Sequence, residues 1–294
     1  EELDFRLEAQ NMLDVAASFV ALGQRGYVVP RPHPTLVTRR VLVMERLSGF
    51  AFDDVAGMKD AGVDTEAIVR TGMIGFMEGA MIEGIFHGDL HGGNLFVLPD
   101  GTVALLDFGI TGRMDDVERR AFLRLMIGAS MNDVRMQLGA LCELGALPMD
   151  TDLDAVIDDL GLDRPGLDPT TAKPDELVAE VQKIVKALLG YGARMPKELM
   201  LYVKNLVFLD GAIGLLAPDI DLFQEITNVS LHFATTHGER LFAEIGVDPE
   251  QFRVDLTGVK DQMGLDRGVD RFTWRELQER RDLIRTRFEQ RGVA

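Results

Sequence analysis

His87-Gly88-Asp89-Leu90-His91-Gly92-Gly93-Asn94, followed by a second acidic turn at Leu106-Asp107-Phe108-Gly109, is the stretch that decides the fold. Between the two segments run Leu95 to Leu98 and Val103 to Leu106, which flank Pro99-Asp100-Gly101-Thr102. That turn chemistry between β-prone runs predicts a short hairpin. Asp89 and Asn94 stand five positions apart on one loop, so a carboxylate can lie near an attacking hydroxyl while an amide oxygen meets a metal. Asp107 then arrives from the far end of the hairpin. A transferred phosphoryl group carries spread negative charge, so its catalysis rests on positioning and on divalent cations, and hard Mg²⁺ prefers oxygen ligands. The pattern therefore reads as phosphoryl transfer, with Asn94 and Asp107 holding Mg²⁺ and Asp89 acting as base or as the carboxylate that orients the nucleophile.

Two plainer readings compete for the same residues. A single aspartate of this kind would more often cap a turn, but the whole string, with hairpin spacing and an intact Asp-Phe-Gly, points to function. His87 and His91 are four apart and could suggest zinc. Gly88, Gly92 and Gly93 are hostile to a helix, so the two imidazoles are not held on one helical face as metalloprotease ligands are.

Working outward, Leu3 to Leu22 carries apolar residues at helical spacing and stops at Gly23 and Gly26, predicting one long helix. The Pro-punctuated segment Val28 to Pro34 leads into Leu36-Val37-Thr38 and Val41-Leu42-Val43-Met44, a small antiparallel sheet. The second run continues as Glu45-Arg46-Leu47-Ser48-Gly49, where a kinase fold would join its two lobes. Backbone groups from Met44 and Glu45 to Leu47 would then meet the adenine of ATP. A helix is expected from Asp64 through Met81, ending near Gly84. Beyond Asp115 the pattern is helical, near 115–131, 132–146, 174–190, 195–215, 220–245, 249–263 and 270–291, with Gly161 to Pro174 as a loop.

Composition sets the exclusions. The chain has 294 residues, with 31 basic against 48 acidic side chains and a net charge of −17, which repels a nucleic-acid backbone. The arginines from Arg271 to Arg291 alternate with Glu276, Glu279, Asp282 and Glu289, the pattern of a solvated helix face. The single Cys142 lies in an apolar run, so no internal disulfide forms, and a buried thiol in a reducing, cytoplasmic compartment is expected. Gly72 to Phe86 is too short to span a bilayer, and Leu199 to Pro218 contains Lys204 and Asp210, so both are expected as core helices. The chain begins Glu1-Glu2-Leu3-Asp4 without an initiator Met or a targeting stretch, as an excised or processed piece would.

With these residues in place, the chain resembles the UbiB/ADCK group of atypical kinases from Glu1 to about Leu222. Glu2-Leu3-Asp4 is similar to that family's Glu-x-Asp motif, and Glu8-Ala9-Gln10-Asn11 to the Glu-Ala-x-Asn that follows on the same helix. Met195-Pro196-Lys197-Glu198-Leu199 and Leu216-Ala217-Pro218-Asp219 resemble its helical C-terminal portion. The resemblance implies that Glu8 is the helix glutamate pairing with an ATP-binding lysine, and that Asp89 and Asn94 belong to the catalytic loop. It further implies that Asp107 binds metal, and that Glu2 and Asp4 face the nucleotide side and an N-terminal extension.

It also implies ATP hydrolysis or phosphotransfer, and a role in isoprenoid quinone or lipid handling with quinone-biosynthesis proteins as partners. Peripheral contact with the inner membrane face belongs to the same expectation. Two departures stand out. Gly92 occupies a position where the family usually has Pro, and the family's nucleotide loop and lysine have no counterpart before Glu8. The nearest lysine in sequence is Lys59, so weak ATP binding is expected of this piece alone.

The expected architecture is an α+β, protein-kinase-like fold. It comprises a partial small lobe over 1–48, a helical large lobe over 49–222 and a helical extension over 223–294. The loop also admits a small-molecule kinase of aminoglycoside or choline kinase type, against which the Glu2 to Asn11 helix argues. A scaffold that uses ATP binding to organise a lipid-biosynthetic assembly is the reading from another class. Retention of Asp89, Asn94 and Asp107 together argues against it.

Overall fold

A computed structural model describes residues 4–162, 174–246 and 254–289. The expectations for Glu2, for Pro165 and Pro169 in the long loop, and for the start of the helix near 249 lie outside the described residues. The remainder is α+β, as expected. Helix α1 (Phe5–Ala21) is followed by β1 (Tyr27–Val28), β2 (Pro32–Val37), β3 (Leu42–Met44) and β4 (Phe50–Ala51). Next come α2 (Val55–Asp60), α3 (Thr65–Glu78), β5 (Ile85–His87), β6 (Leu95–Val97), β7 (Val103–Leu105) and β8 (Thr111–Arg113). The rest is helical: α4 (Asp116–Ser130), α5 (Val134–Glu143), α6 (Leu153–Leu160), α7 (Pro174–Gly190) and α8 (Lys197–Leu216). The chain continues through α9 (Leu222–Thr236), α10 (Gly238–Ile245), α11 (Leu256–Gln262) and α12 (Trp274–Glu289).

The described residues form two compact units. One runs from the start of the chain to Arg119 and includes Lys197–Ile220; the other comprises Arg120–Pro196 and the chain from Asp221 onward. Within the first unit, α8 packs on α3. Its buried residues are Leu201, Tyr202, Asn205, Ala212, Ile213 and Leu216. Tyr202 stacks on Phe76 of α3 with ring centroids 4.8 Å apart and meets Phe86 of β5 edge-on.

In the first unit the predicted hairpin is present. β6 pairs antiparallel with β7, Leu95 opposite Leu105, and Gly101 takes φ +85° in the turn, a conformation glycine adopts without a Cβ clash. The sheet is extended by β1, parallel to β7, and by β4, antiparallel to β6, giving the order β1-β7-β6-β4. β2 and β3 form a separate two-stranded piece, and β5 pairs with β8. β2 begins at Pro32, earlier than the run expected at Leu36, because both of its prolines sit on a two-stranded piece with open edges. Helix α3 starts as the sequence indicates. Asp64 caps the amides of Glu66 and Ala67, each at 3.0 Å, and a π turn over Gly79–Glu83 ends on Gly84 at φ +68°.

The second unit has its own core, in which Leu138, Cys142, Leu147, Val156 and Leu160 are buried together. Cys142 is thus the packed thiol that its apolar surroundings suggest. Helix α6 was not expected, although Asp152 caps its first turn and Gly161 closes it at φ +63°. The helix expected over 220–245 is two, broken at His237, whose φ of −122° and ψ of −2° leave the helical region. Helix α12 is largely exposed and laced by Arg285 to Asp282 at 3.0 Å, which agrees with a solvated face.

Helix α8 departs from its expected role. Among the described residues it is the one helix long and apolar enough to cross a membrane, yet only a third of its apolar window is buried. Met200, Val203, Val207 and Leu215 are exposed on it, so a single face, not the whole helix, serves the core.

Candidate active site

The loop between β5 and β6 is held by buried polar groups. His87, only 3% exposed, accepts the Asp89 amide at Nδ1 over 3.1 Å. Its proton therefore resides on Nε2, which donates to the Leu106 carbonyl at 3.0 Å. Burial holds its pKa below the usual imidazole range, and its ring meets Phe108 at 5.0 Å. His87 is thus a neutral strut tying the Asp89 turn to the residue before Asp107. With both ring nitrogens engaged it has no lone pair for a metal, so the zinc reading has no ligand there. Exposed His91 uses Nδ1 to accept the Gly93 amide at 3.1 Å, closing the single 3₁₀ turn Gly92–Asn94.

Asn94 is buried and donates from Nδ2 to the Asp89 carbonyl at 3.0 Å. That bond orients the amide and leaves Oδ1 as its open acceptor. Asp107 is exposed and adopts φ +56°, a left-handed conformation uncommon outside glycine, with Oδ1 accepting the Gly109 amide at 3.1 Å. The carboxylate is thus exposed, with one oxygen tied to its own turn.

Helix α1 docks on this turn through both backbone groups of Phe108. Asn11 Nδ2 donates to the Phe108 carbonyl at 2.8 Å, and Glu8 Oε1 accepts the Phe108 amide at 3.4 Å. Arg113 steadies the helix by donating to Asn11 Oδ1 at 2.9 Å and to Asp14 at 2.6 Å. Burial, and then the nearby Asp107 charge, push the Glu8 carboxyl above its ordinary range. Asp4 caps α1, accepting the Arg6 amide at 3.1 Å, and its ion pair with Arg6 holds it down at about 2. It also lines a cavity of about 400 Å³ together with Glu8, Asn11, Thr111, Lys197 and Met200.

Two residues of α8 complete the site, and neither was among the expected ones. Asn205, fully buried, accepts the Leu90 amide at 2.8 Å and donates to the His87 carbonyl at 2.6 Å. Lys204, beside it, places Nζ 2.5 Å from Asp89 Oδ1. This contact, ahead of the smaller opposing effect of burial, holds Asp89 below the usual carboxylate range. The signal available in the sequence was a Lys-Asn pair interrupting an apolar helix.

Met44, Glu45 and Leu47 are not joined to this cluster by any hydrogen bond among the described residues. Met44 ends β3 opposite Pro32, and Glu45 donates its amide to the Arg31 carbonyl at 2.9 Å. They precede β4, which lies beside the catalytic hairpin through its pairing with β6.

The donor set fits a hard divalent cation. It comprises the Asp107 carboxylate, the open Asn94 Oδ1 and the nearby Glu8 carboxylate, with no sulfur or free imidazole among them. One consequence concerns stability. Glu8→Gln is expected to raise stability near neutral pH by up to about 1 kcal/mol, the scale of partly exposed charge interactions. The folded pKa of Glu8 lies above its ordinary value of 4.5, so the wild type loses stability as pH rises through that range. The advantage of the variant should accordingly be present near neutrality and absent in acid. Thermal melts at both conditions check this, and a variant less stable at neutral pH would contradict it.

Residues 1–138 match the family model of the ABC1 atypical kinase-like domain. That segment carries an ABC1 atypical kinase-like domain. All of the cluster except the two α8 residues falls within those residues of the ABC1 domain. An uncharacterized protein of Mycobacterium tuberculosis is 33% identical over 229 residues, spanning 74% of this chain and 45% of its own length. A chloroplastic aarF domain-containing protein kinase of Arabidopsis thaliana, itself uncharacterized, is 29% identical over 76% of this chain and 46% of its own. A Histophilus somni protein named "Probable protein kinase UbiB" is 25% identical over 76% of this chain and 41% of its own. The chain therefore spans less than half the length of these relatives. The resemblance read from Glu8 to Asn11 and from the loop points to the same family as the match over residues 1–138.

Proposed function

We propose that the protein is an ATP-dependent atypical kinase or ATPase of UbiB type that uses Mg²⁺ and acts in isoprenoid quinone or other lipid homeostasis. The observation that carries the reading is the convergence on Phe108. Asn11 and Glu8 of α1 hold one side of the acidic turn, while His87 ties the Asp89 loop to Leu106 on the other. A metal bound by Asn94 and Asp107 would supply charge for phosphate oxygens. Asp89 supplies the carboxylate that orients an acceptor hydroxyl or water. Asn11 ends the Glu8-Ala9-Gln10-Asn11 motif, and its engagement with the acidic turn favours this reading over a small-molecule kinase.

A lipid acceptor or activator has support of its own. A groove of about 560 Å³ is lined by Phe52, Phe96, Val207, Phe208 and Leu215 and reaches Gly92 and Gly93 of the catalytic loop. Its apolar walls suit a prenyl chain presented at a membrane surface. The reading is tested on the full-length protein by ATP binding and turnover with and without Mg²⁺. Saturable turnover that chelation abolishes is expected. A protein that binds ATP without turning it over would sink the catalytic reading and leave the ATP-binding scaffold; one that binds no ATP would sink both.

A further inference from the structure

From His87 to Gly112 the sequence contains neither lysine nor arginine, so the catalytic hairpin brings no cation of its own to a reaction that spreads negative charge over phosphate oxygens. A cation from elsewhere in the chain nevertheless reaches Asp89. Lys204 projects from α8 and sets Nζ 2.5 Å from Asp89 Oδ1. Its placement is fixed by its neighbour Asn205, which is fully buried and bonded to both His87 and Leu90, the residues that bracket Asp89. The lysine is therefore carried by the same turn of helix that anchors the loop it contacts.

The exposure of the pair argues against a purely structural role. The Lys204 side chain is 54% exposed and that of Asp89 29%, and an ion pair so open contributes little to stability. An ammonium has three hydrogens to donate. Asp89 takes one, and on a side chain more than half exposed the others remain for a ligand. A phosphate approaching an acceptor held by Asp89 would meet them.

We propose that Lys204 bridges the Asp89 carboxylate and the terminal phosphate of the nucleotide, acting as the phosphate-reading cation that the loop itself lacks. The assignment rests on the phosphotransfer reading and adds a residue to it. In the transfer, the bond from the terminal phosphorus to the ADP oxygen breaks and a bond from the acceptor oxygen forms. The acceptor proton passes to Asp89. Lys204 keeps its protons throughout and supplies charge alone.

The test compares Mg-ATP and Mg-ADP affinity and ATP turnover in the full-length protein for wild type, Lys204→Met, Lys204→Arg and Asp107→Asn, with melting temperatures in parallel. Loss of a charge-assisted hydrogen bond to the terminal phosphate should weaken ATP binding about 10- to 100-fold in Lys204→Met while ADP binding stays within about twofold. Turnover should fall as well, and Lys204→Arg should recover most of the preference for ATP. Equal weakening of ATP and ADP would reassign Lys204 to loop support and overturn the proposal, as would unchanged ATP affinity. A wild type that binds neither nucleotide, or an Asp107→Asn variant that turns over ATP normally, would instead defeat the phosphotransfer reading and this assignment with it.

Discussion

Asp107→Asn should reduce Mg²⁺-dependent ATP turnover of the full-length protein by about 10²- to 10³-fold or more, the scale of removing one partner from developing transition-state charge. The fold should survive the change. Asp107 sits at φ +56°, a region that asparagine tolerates better than most side chains, and asparagine retains an oxygen for the Gly109 amide that Asp107 Oδ1 now accepts. The substitution also removes the charge that, after burial, helps push the Glu8 carboxyl above its ordinary range. Melting temperature should therefore hold or rise while turnover collapses. The opposition of these two effects is what separates a metal-binding aspartate from a turn-capping one. A residue that only caps the turn would keep its activity as well, because asparagine preserves the bond to the Gly109 amide, and undiminished turnover in a steady-state ATPase assay beside unchanged thermal melts would return Asp107 to a structural role. Asp89→Asn should lose turnover similarly, with Lys204 left without its ion-pair partner.

What the sequence made legible follows the range of the interactions involved. The hairpin between Asn94 and Asp107 is a local device, specified by Pro99-Asp100-Gly101-Thr102, and it folds as its turn residues require. The start of α3 at Asp64 is equally local, since the cap bonds amides two and three positions away. The acidic turn and the Asp89 loop could be named because their spacing is itself chemical information. Lys204 and Asn205 lie 115 or more positions from the groups they contact, and no period or turn rule reaches so far. The same blindness hides the return of α8 to the first unit. A helix that leaves one unit in sequence and rejoins it in space, as α8 does, is defined by which face it buries, and its low amphipathicity hides that face behind a uniformly apolar run. Helix α6 was missed for a lesser reason, since Asp152 and Gly161 mark its ends but enclose only eight residues.

Asn205→Leu should destabilise the protein by several kcal/mol and disable the site from a residue that need not touch the nucleotide. Leucine keeps the branched shape and the heavy-atom count of the fully buried asparagine, so a cavity is not the issue. It strands the Leu90 amide, now 2.8 Å from Asn205 Oδ1, and the His87 carbonyl, 2.6 Å from Nδ2. A buried backbone group left unpaired costs about 1–3 kcal/mol, and here there are two. Asn205→Asp should not rescue it, because a carboxylate can accept the Leu90 amide but faces the His87 carbonyl with oxygen and brings an uncompensated charge into the core. The two stranded groups bracket Asp89, so the loop that presents the carboxylate loses its anchor at the point where position matters most. Denaturant unfolding gives the energy, and hydrogen exchange at the Leu90 amide gives the location. Protection in the wild type and rapid exchange in the variant, at a concentration where both are folded, would establish that α8 holds the catalytic loop. An amide equally protected in both would mean that the loop is held by its own contacts, His87 to Leu106 above all, and that α8 only packs behind it.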